Sequence, residues 1–294
     1  MTALYDRAAG GGLRDRIAEV RRRLLRRHPT MVFGGVLLIV MVVCALFAPL
    51  LFTSDPIALN PVDRLKPPGE AHWFGTDMFG RDIYSRTVYG ARISLTVGLL
   101  AAGLSVLFGL LCGLAAGYIR LLDGVIMRIM DGLMAIPGIL LAIALVSLSG
   151  ASLTTVTVAI TIPEIPRVVR LVRAIVLSVR EEPYVEAAIA AGTRLPLILL
   201  RHVLPNTVPP LIVQATYVCA SAMLTEALLG FLGAGTPPEI PSWGNIMAEG
   251  RTYFQLAPWI VLFPGITLAL TILAVNVLGD GLRDTLDPRI AKKM

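Results

Sequence analysis

The chain has 294 residues, of which 55% are hydrophobic and only 16% charged, with a mean hydropathy of +0.75. A soluble domain carries about 25% charged residues, so this chain has too little polar surface to cover itself in water, and an ordinary soluble globular fold is excluded. The net charge of +6 is concentrated, with eight Arg in residues 1–30.

In chain order, that basic cluster precedes a long apolar run, the pattern of a cytoplasmic flank beside anionic lipid and not of a nucleic-acid-binding arm. Leu13, Ile17, Val20 and Leu24 fall on one helical face among the arginines, which predicts an amphipathic helix on the inner leaflet over 13–28, a solvated tail being the alternative. The apolar run that follows is too long for a signal peptide. Five stretches carry no charge when His28 is neutral: Arg27 to Asp55, Arg92 to Arg120, Asp131 to Glu164, Arg201 to Glu226 and Arg251 to Asp280. Each is long enough for a span of about 20 residues.

The stretch from Gly132 to Pro163 is either one helix or two meeting at Ser149-Gly150-Ala151-Ser152. Two spans there put twenty Lys and Arg inside and six outside, whereas one span puts eleven inside and fifteen outside. The positive-inside rule therefore selects six spans, with both termini cytoplasmic. They are expected near 31–52, 94–118, 132–149, 152–172, 207–232 and 257–279, with Pro163, Glu164 and Pro166 interrupting the fourth. The expected division is a basic tail over 1–30, a first transmembrane helix over 31–52, an outer loop over 53–91, a five-helix core over 92–281 and a cytoplasmic tail over 282–294. Arg167, Arg170 and Arg173 recur every three residues and mark the exit of the fourth span. Gly109 and Gly113 have the spacing that lets two helices approach closely.

Several chemistries have no residues to carry them. The only lysines are Lys66, Lys292 and Lys293, and none follows a glycine, so the chain offers no phosphate-cradling P-loop. His28, His72 and His202 are too far apart in sequence for a helical zinc motif, and Cys44, Cys112 and Cys219 each sit in an apolar run as small hydrophobes. No nucleophile turn appears. No metal or resident cofactor is expected. A secondary transporter working alone would need ionisable groups at mid-membrane, for which Glu164 and Glu226, with Gln214 and Asn276, are the candidates. Glu226 lies about 10 Å inside its span, so it should face either a translocation path, with Gln214, or a polar partner on a neighbouring helix.

The longest intracellular segment reads Glu181-Glu182-Pro183-Tyr184-Val185-Glu186-Ala187-Ala188-Ile189-Ala190-Ala191-Gly192 at its centre. Pro183 suits the first helical position, the acidic residues favour the helix start, and Gly192 suits the position just past the end. Thr193 is expected to cap a second helix through Leu200, with Pro196 in its first turn and Pro205 ending it.

Glu186-Ala187-Ala188, then Gly192, then Leu204-Pro205 resembles the coupling loop of ABC importer permeases, which docks in a groove of the cytoplasmic ATPase; His202 departs from the Ile of the general pattern. The stretch from Trp73 through Asp77, Arg81 and Asp82 to Gly98 is similar to the segment before the core of the second permease subunit in dipeptide, oligopeptide, nickel and glutathione importers. So are Glu226 to Gly244 and Gly279 to Arg289, although Gly230 stands where that branch often has Ser. The resemblance covers about residues 70–294. It implies an all-α, six-helix type I importer core that hydrolyses no ATP itself. It also implies a homologous permease, two ATPase domains that hold ATP and Mg, and an external substrate-binding protein as partners. The docking face for that protein is expected at Asp77, Arg81, Asp82 and Trp243, with a turn network of ion pairs among Asp77, Arg81, Asp82 and Arg86 as the alternative. Peptides are the implied cargo, with nickel or glutathione as alternatives, and the bacterial inner membrane is the implied location.

Overall fold

Residues 29–286 are described by a computed structural model, and within them the chain is helical, with no named strand. Helix α1 (Pro29–Leu46) is apolar throughout and ends where a 3-10 turn at Ala48–Leu50 and Phe52, at φ +54°, redirect the chain. An outer loop follows, and Asp82 then caps α2 (Ile83–Tyr118) by accepting from the Ser85 N–H. Helix α3 (Arg120–Ala135) is followed after two residues by α4 (Gly138–Ser149), and the pair is bent by 89° at Ile136-Pro137. Gly150, at φ +83°, makes the turn into α5 (Leu153–Arg180), which Ser152 caps. The loop helices α6 (Pro183–Ala190) and α7 (Leu195–Ile198) lead through a π-helical turn, Leu199–Val203, into α8 (Leu204–Phe231). Helix α9 (Trp243–Gly250) lies in the second outer segment, and α10 (Trp259–Leu286) closes the chain.

Four helices are long and apolar enough to cross a membrane: α1, α2, the run Leu195–Phe231 and α10; the bent pair α3–α4 adds a fifth if it counts as one crossing. The expected third span, 132–149, is broken at Pro137. A proline cannot donate the helical hydrogen bond there, which leaves α4 with 12 residues, about 18 Å against the 30 Å of a bilayer core. The expected fourth span is the opposite case. Helix α5 runs unbroken through Pro163 and Pro166 to Arg180, about 42 Å long. The amphipathic helix expected over 13–28 and the tail beyond residue 286 lie outside the described residues.

Close packing explains why α5 survives its prolines. Gly109, Gly113 and Gly117 form a flat stripe on α2 against Val168, Val172 and Val176 of α5. A Cβ on Gly113 would lie 2.6 Å from the Cβ of Val172, so only glycine permits this approach. All three valines are fully buried, in the largest core cluster, which also takes in Leu211, Val218 and Met223 of α8. The outward faces are apolar and open, with Ile39 on α1, Leu107 and Leu111 on α2 and Ile266 on α10 all exposed. In a bilayer such faces meet lipid tails and need no covering protein.

Candidate functional site

The segment 181–206 stands clear of the bundle. On α6, Tyr184, Glu186, Ala187 and Ile189 are exposed and only Val185 is buried. The helix stops in a two-bond C-terminal motif: the Gly192 N–H donates to the Ile189 carbonyl at 2.9 Å and the Thr193 N–H to the Ala188 carbonyl at 3.1 Å. Gly192 has φ +75°, the left-handed conformation that this turn demands, and a Cβ placed on it would meet nothing within the chain. The expected helix start at Pro183 and turn at Gly192 are both present. The return arm differs: Arg194, not Thr193, precedes α7, and Pro205 does not end the helix.

The π turn is the reason. A proline inside an α-helix clashes with the carbonyl four residues before it. Here the coil widens, and the Leu204 N–H donates to the Leu199 carbonyl five residues back, so the arm enters α8 through Pro205 without stopping. Three side chains seat the loop in the main core: Val185, Ile198 and Val203, each no more than 2% exposed. The two arms are also clasped at the side, where Asn206 Nδ2 donates to the Tyr184 hydroxyl at 3.2 Å and to the His202 carbonyl at 2.6 Å. Sequence reading missed all of these anchors, because nothing local distinguishes Val185 from the exposed alanines beside it.

Beside this loop a cleft of about 560 Å³ opens between α5, α8 and α10. Gln214 lines it, together with Pro205, Asn206, Pro209, Pro210 and Arg283. Because Pro209 and Pro210 carry no N–H, the carbonyls of Pro205 and Asn206 have no helical donor, so the prolines add free acceptors to this stretch of α8. Glu226 is elsewhere. It is fully buried, and the Ser94 hydroxyl of α2 donates to its Oε2 at 2.9 Å. Of its two expected settings, the geometry presents the polar partner on a neighbouring helix. Glu164 is likewise tied, accepting from Arg167 Nη1 at 3.0 Å and from the Ser221 hydroxyl at 3.0 Å.

At the other end of the bundle, Asp77, Arg81 and Trp243 of the four residues expected to form a docking face are buried, and Asp82 is partly buried. Asp77 and Trp243 are fully buried. Trp243 Nε1 donates to the Thr87 carbonyl at 2.9 Å. Asp77 Oδ2 accepts from Arg81 Nε at 2.6 Å and Arg86 Nη1 at 2.7 Å, while Glu249 accepts from Arg81 Nη2 at 2.6 Å. Asp82 is occupied by Ser85 and His72. The ion-pair network of the alternative reading is present around Asp77, Arg81 and Arg86 and ties the outer loop to Glu249. Their charges cancel, two cations against Asp77 and Glu249. Arg86, expected in this network, is in it, and Glu249 is the member that sequence did not show.

Residues 105–292 match the family described as binding-protein-dependent transport system inner membrane component, and residues 17–68 match the N-terminal transmembrane domain of oligopeptide transport permease C. A probable peptide ABC transporter permease of Sinorhizobium fredii is 55% identical over 92% of this chain and 93% of its own length. A dipeptide transport system permease of Alkalihalophilus pseudofirmus is 46% identical over 90% and 88%. A glutathione transport system permease of Pectobacterium atrosepticum is 41% identical over 92% and 91%. Among solved structures, the MetNI methionine ABC transporter in an inward-facing conformation shares the fold, with a TM-score of 0.57 at 20% identity over 70% of this chain and 98% of that one.

Proposed function

The chain belongs to the family of binding-protein-dependent transport system inner membrane components, and on that premise we propose how it works as the permease subunit of an ABC importer. It sits in the bacterial inner membrane with both termini cytoplasmic, and it pairs with a homologous permease to enclose the translocation path. ATP and Mg are handled by two separate ATPase domains. A binding protein delivers cargo to the outer face built by residues 53–82 and 233–258. The cargo is di- or oligopeptides, the solutes for which the peptide and dipeptide permeases among the relatives are named. A glutathione-type cargo is the second reading, supported by the relative from Pectobacterium.

Segment 181–206 is the coupling element, with Glu186, Ala187, Ala188, Gly192, Leu204 and Pro205 as its working residues. One observation carries this reading: a small-residue helix is held out from the bundle on a glycine turn, yet seated by three buried side chains. Such an element can enter a groove on another protein and transmit its motion without folding away. Force on α6 passes directly into α5 at one end and through the π turn into α8 at the other. Gln214 and the proline-freed carbonyls of α8 supply polar contacts along the path.

The test is purification of the chain from its native membrane together with its co-isolating subunits, followed by uptake and ATPase assays. A second permease and an ATPase should co-purify, with hydrolysis stimulated by the binding protein. Gly192→Leu should insert normally and lose most uptake, because an L-residue at φ +75° distorts the docking turn. Normal uptake by that variant would remove the coupling role.

A further inference from the structure

The outer loop encloses a second cavity, of about 290 Å³, separate from the cleft at the coupling end. Phe52, Trp73, Tyr84, Glu70, His72 and Asp82 line it. Its walls are of two kinds. The rings of Phe52 and Trp73 stand 6.5 Å apart and inclined by 57°, and those of Trp73 and Tyr84 stand 4.9 Å apart and inclined by 58°. Rings tilted in this way are not stacked face to face, and those of Phe52 and Trp73 stay largely exposed beside the cavity. Two carboxylates make the polar side. Asp82 is held by Ser85 and His72, while Glu70 has no ion-pair partner among the described residues.

Aromatic faces and carboxylates share one preference, a cation. An anion would be repelled, and a neutral apolar group would leave Glu70 without a counter-charge. The cations that lie over aromatic rings do so elsewhere, Arg81, Arg92, Arg167 and Arg251 over Phe79, Tyr89, Tyr217 and Phe231, while Lys66 pairs with Asp63 and His72 with Asp82. Among the described residues, no arginine or lysine lies over the rings of Phe52, Trp73 or Tyr84. Phe52 adds an independent sign. It is 89% exposed and held at φ +54°, a conformation a bulky L-residue adopts only under strain. The backbone at this turn sets the ring beside Trp73 at the rim of this cavity.

We propose that this cavity is an alkylammonium-binding site. Its volume suits a small substituted amine and is too small for a peptide. Phe52 follows closely on the end of α1, and Trp73 packs beside it, in the zone where tryptophan and tyrosine meet the headgroups of a bilayer. The ammonium therefore comes either from a phospholipid headgroup such as ethanolamine or from a free amine in solution.

The test uses the full-length chain, purified in detergent with its co-isolating subunits. Tryptophan fluorescence is titrated with ethylammonium chloride, with sodium chloride and sodium ethyl sulfate as controls. Ethylammonium alone should give a saturable change. Trp73→Phe should remove that change, and Glu70→Gln should weaken the affinity by about tenfold, the loss of one facing charge. No saturable response, or an unaltered affinity in Glu70→Gln, overturns the proposal. Native mass spectrometry then separates the sources. Retention of phosphatidylethanolamine over phosphatidylglycerol that is lost in Trp73→Ala identifies the lipid. Saturable ethylammonium binding without such retention identifies a free amine. Glu70 is exposed, so its variant keeps the test decisive should Trp73→Ala fail to fold.

Discussion

Asp77 accepts from two arginines at a place that water does not reach. Replacing it by Asn leaves Arg81 and Arg86 with one full counter-charge, Glu249, between them. Breaking one side of a buried pair typically costs about 3–5 kcal/mol, so Asp77→Asn should loosen the outer end and expose residues 53–82 to protease while the membrane helices stay intact. Limited proteolysis with peptide mapping reads this directly, and an unchanged cleavage pattern would count against the bracing role. Asp63 behaves more mildly. Its hydrogen bond to Lys66 holds its carboxyl below the usual carboxylate range against the opposing loss of solvent, and His72 adds to the lowering. A lowered folded pKa means that the stabilisation is present above the ordinary value and is lost as pH falls through the folded one. Hydrogen exchange over 60–76 should therefore stay slow through neutral pH and quicken only in strong acid. Sequence placed Asp77, Arg81, Asp82 and Arg86 together in one outer loop. It could not show Glu249, which lies 168 residues from Arg81 and is joined to it only when α9 folds back over the start of α2.

The glycine stripe of α2 was legible as spacing, but its partner was not. Nothing in sequence names Val168, Val172 and Val176, because valines are plentiful in every span. Gly113→Leu should overpack this seam at a cost of about 1–3 kcal/mol, lowering the melting temperature of the purified complex. Gly103→Ala, where a Cβ meets nothing within 4 Å, should leave it unchanged. The coupling loop divides in the same way. Pro183 and Gly192 act through their own backbone preferences, so sequence placed them correctly. Pro205 read as a stop because its clash with an α-helix is local knowledge, whereas its accommodation by a π turn depends on Val203 and Ile198 being pinned in the core. Pro205→Ala restores an N–H at that position and removes the reason for the wide turn. Tightening by one residue rotates the arm by about 100° relative to α8, so this variant should hydrolyse ATP with little accompanying uptake. Measuring both rates in one vesicle preparation checks it.

Across the whole molecule, the bend at Pro137 lays α3 aside from the upright helices, and α5 ties it down. Arg170 Nη2 meets Asp131 Oδ1 at 2.6 Å, and Arg173 Nη2 meets Asp123 Oδ2 at 2.7 Å. These are partly exposed pairs, worth at most about 1 kcal/mol each. Asp123→Arg alone should therefore lower the melting temperature slightly, and Asp123→Arg with Arg173→Asp should recover it; failure of the double variant to recover would mean that α3 is held by its apolar face. Composition and charge-free runs revealed the membrane and the helical class, since those are properties of single residues summed along the chain. They could not reveal that α4 is too short to span alone or that α5 runs far past its expected end, since both depend on how neighbours pack.

The glycine–valine seam has a mechanical consequence. Close glycine-on-valine contact over three successive turns makes α2 and α5 move as one stiff rod along that seam. A rod about 42 Å long that pivots at its middle by 10° carries each tip through about 4 Å in opposite directions. A push on the loop below Arg180 would then arrive undiminished, with its sense inverted, beside the charge cluster at the far end.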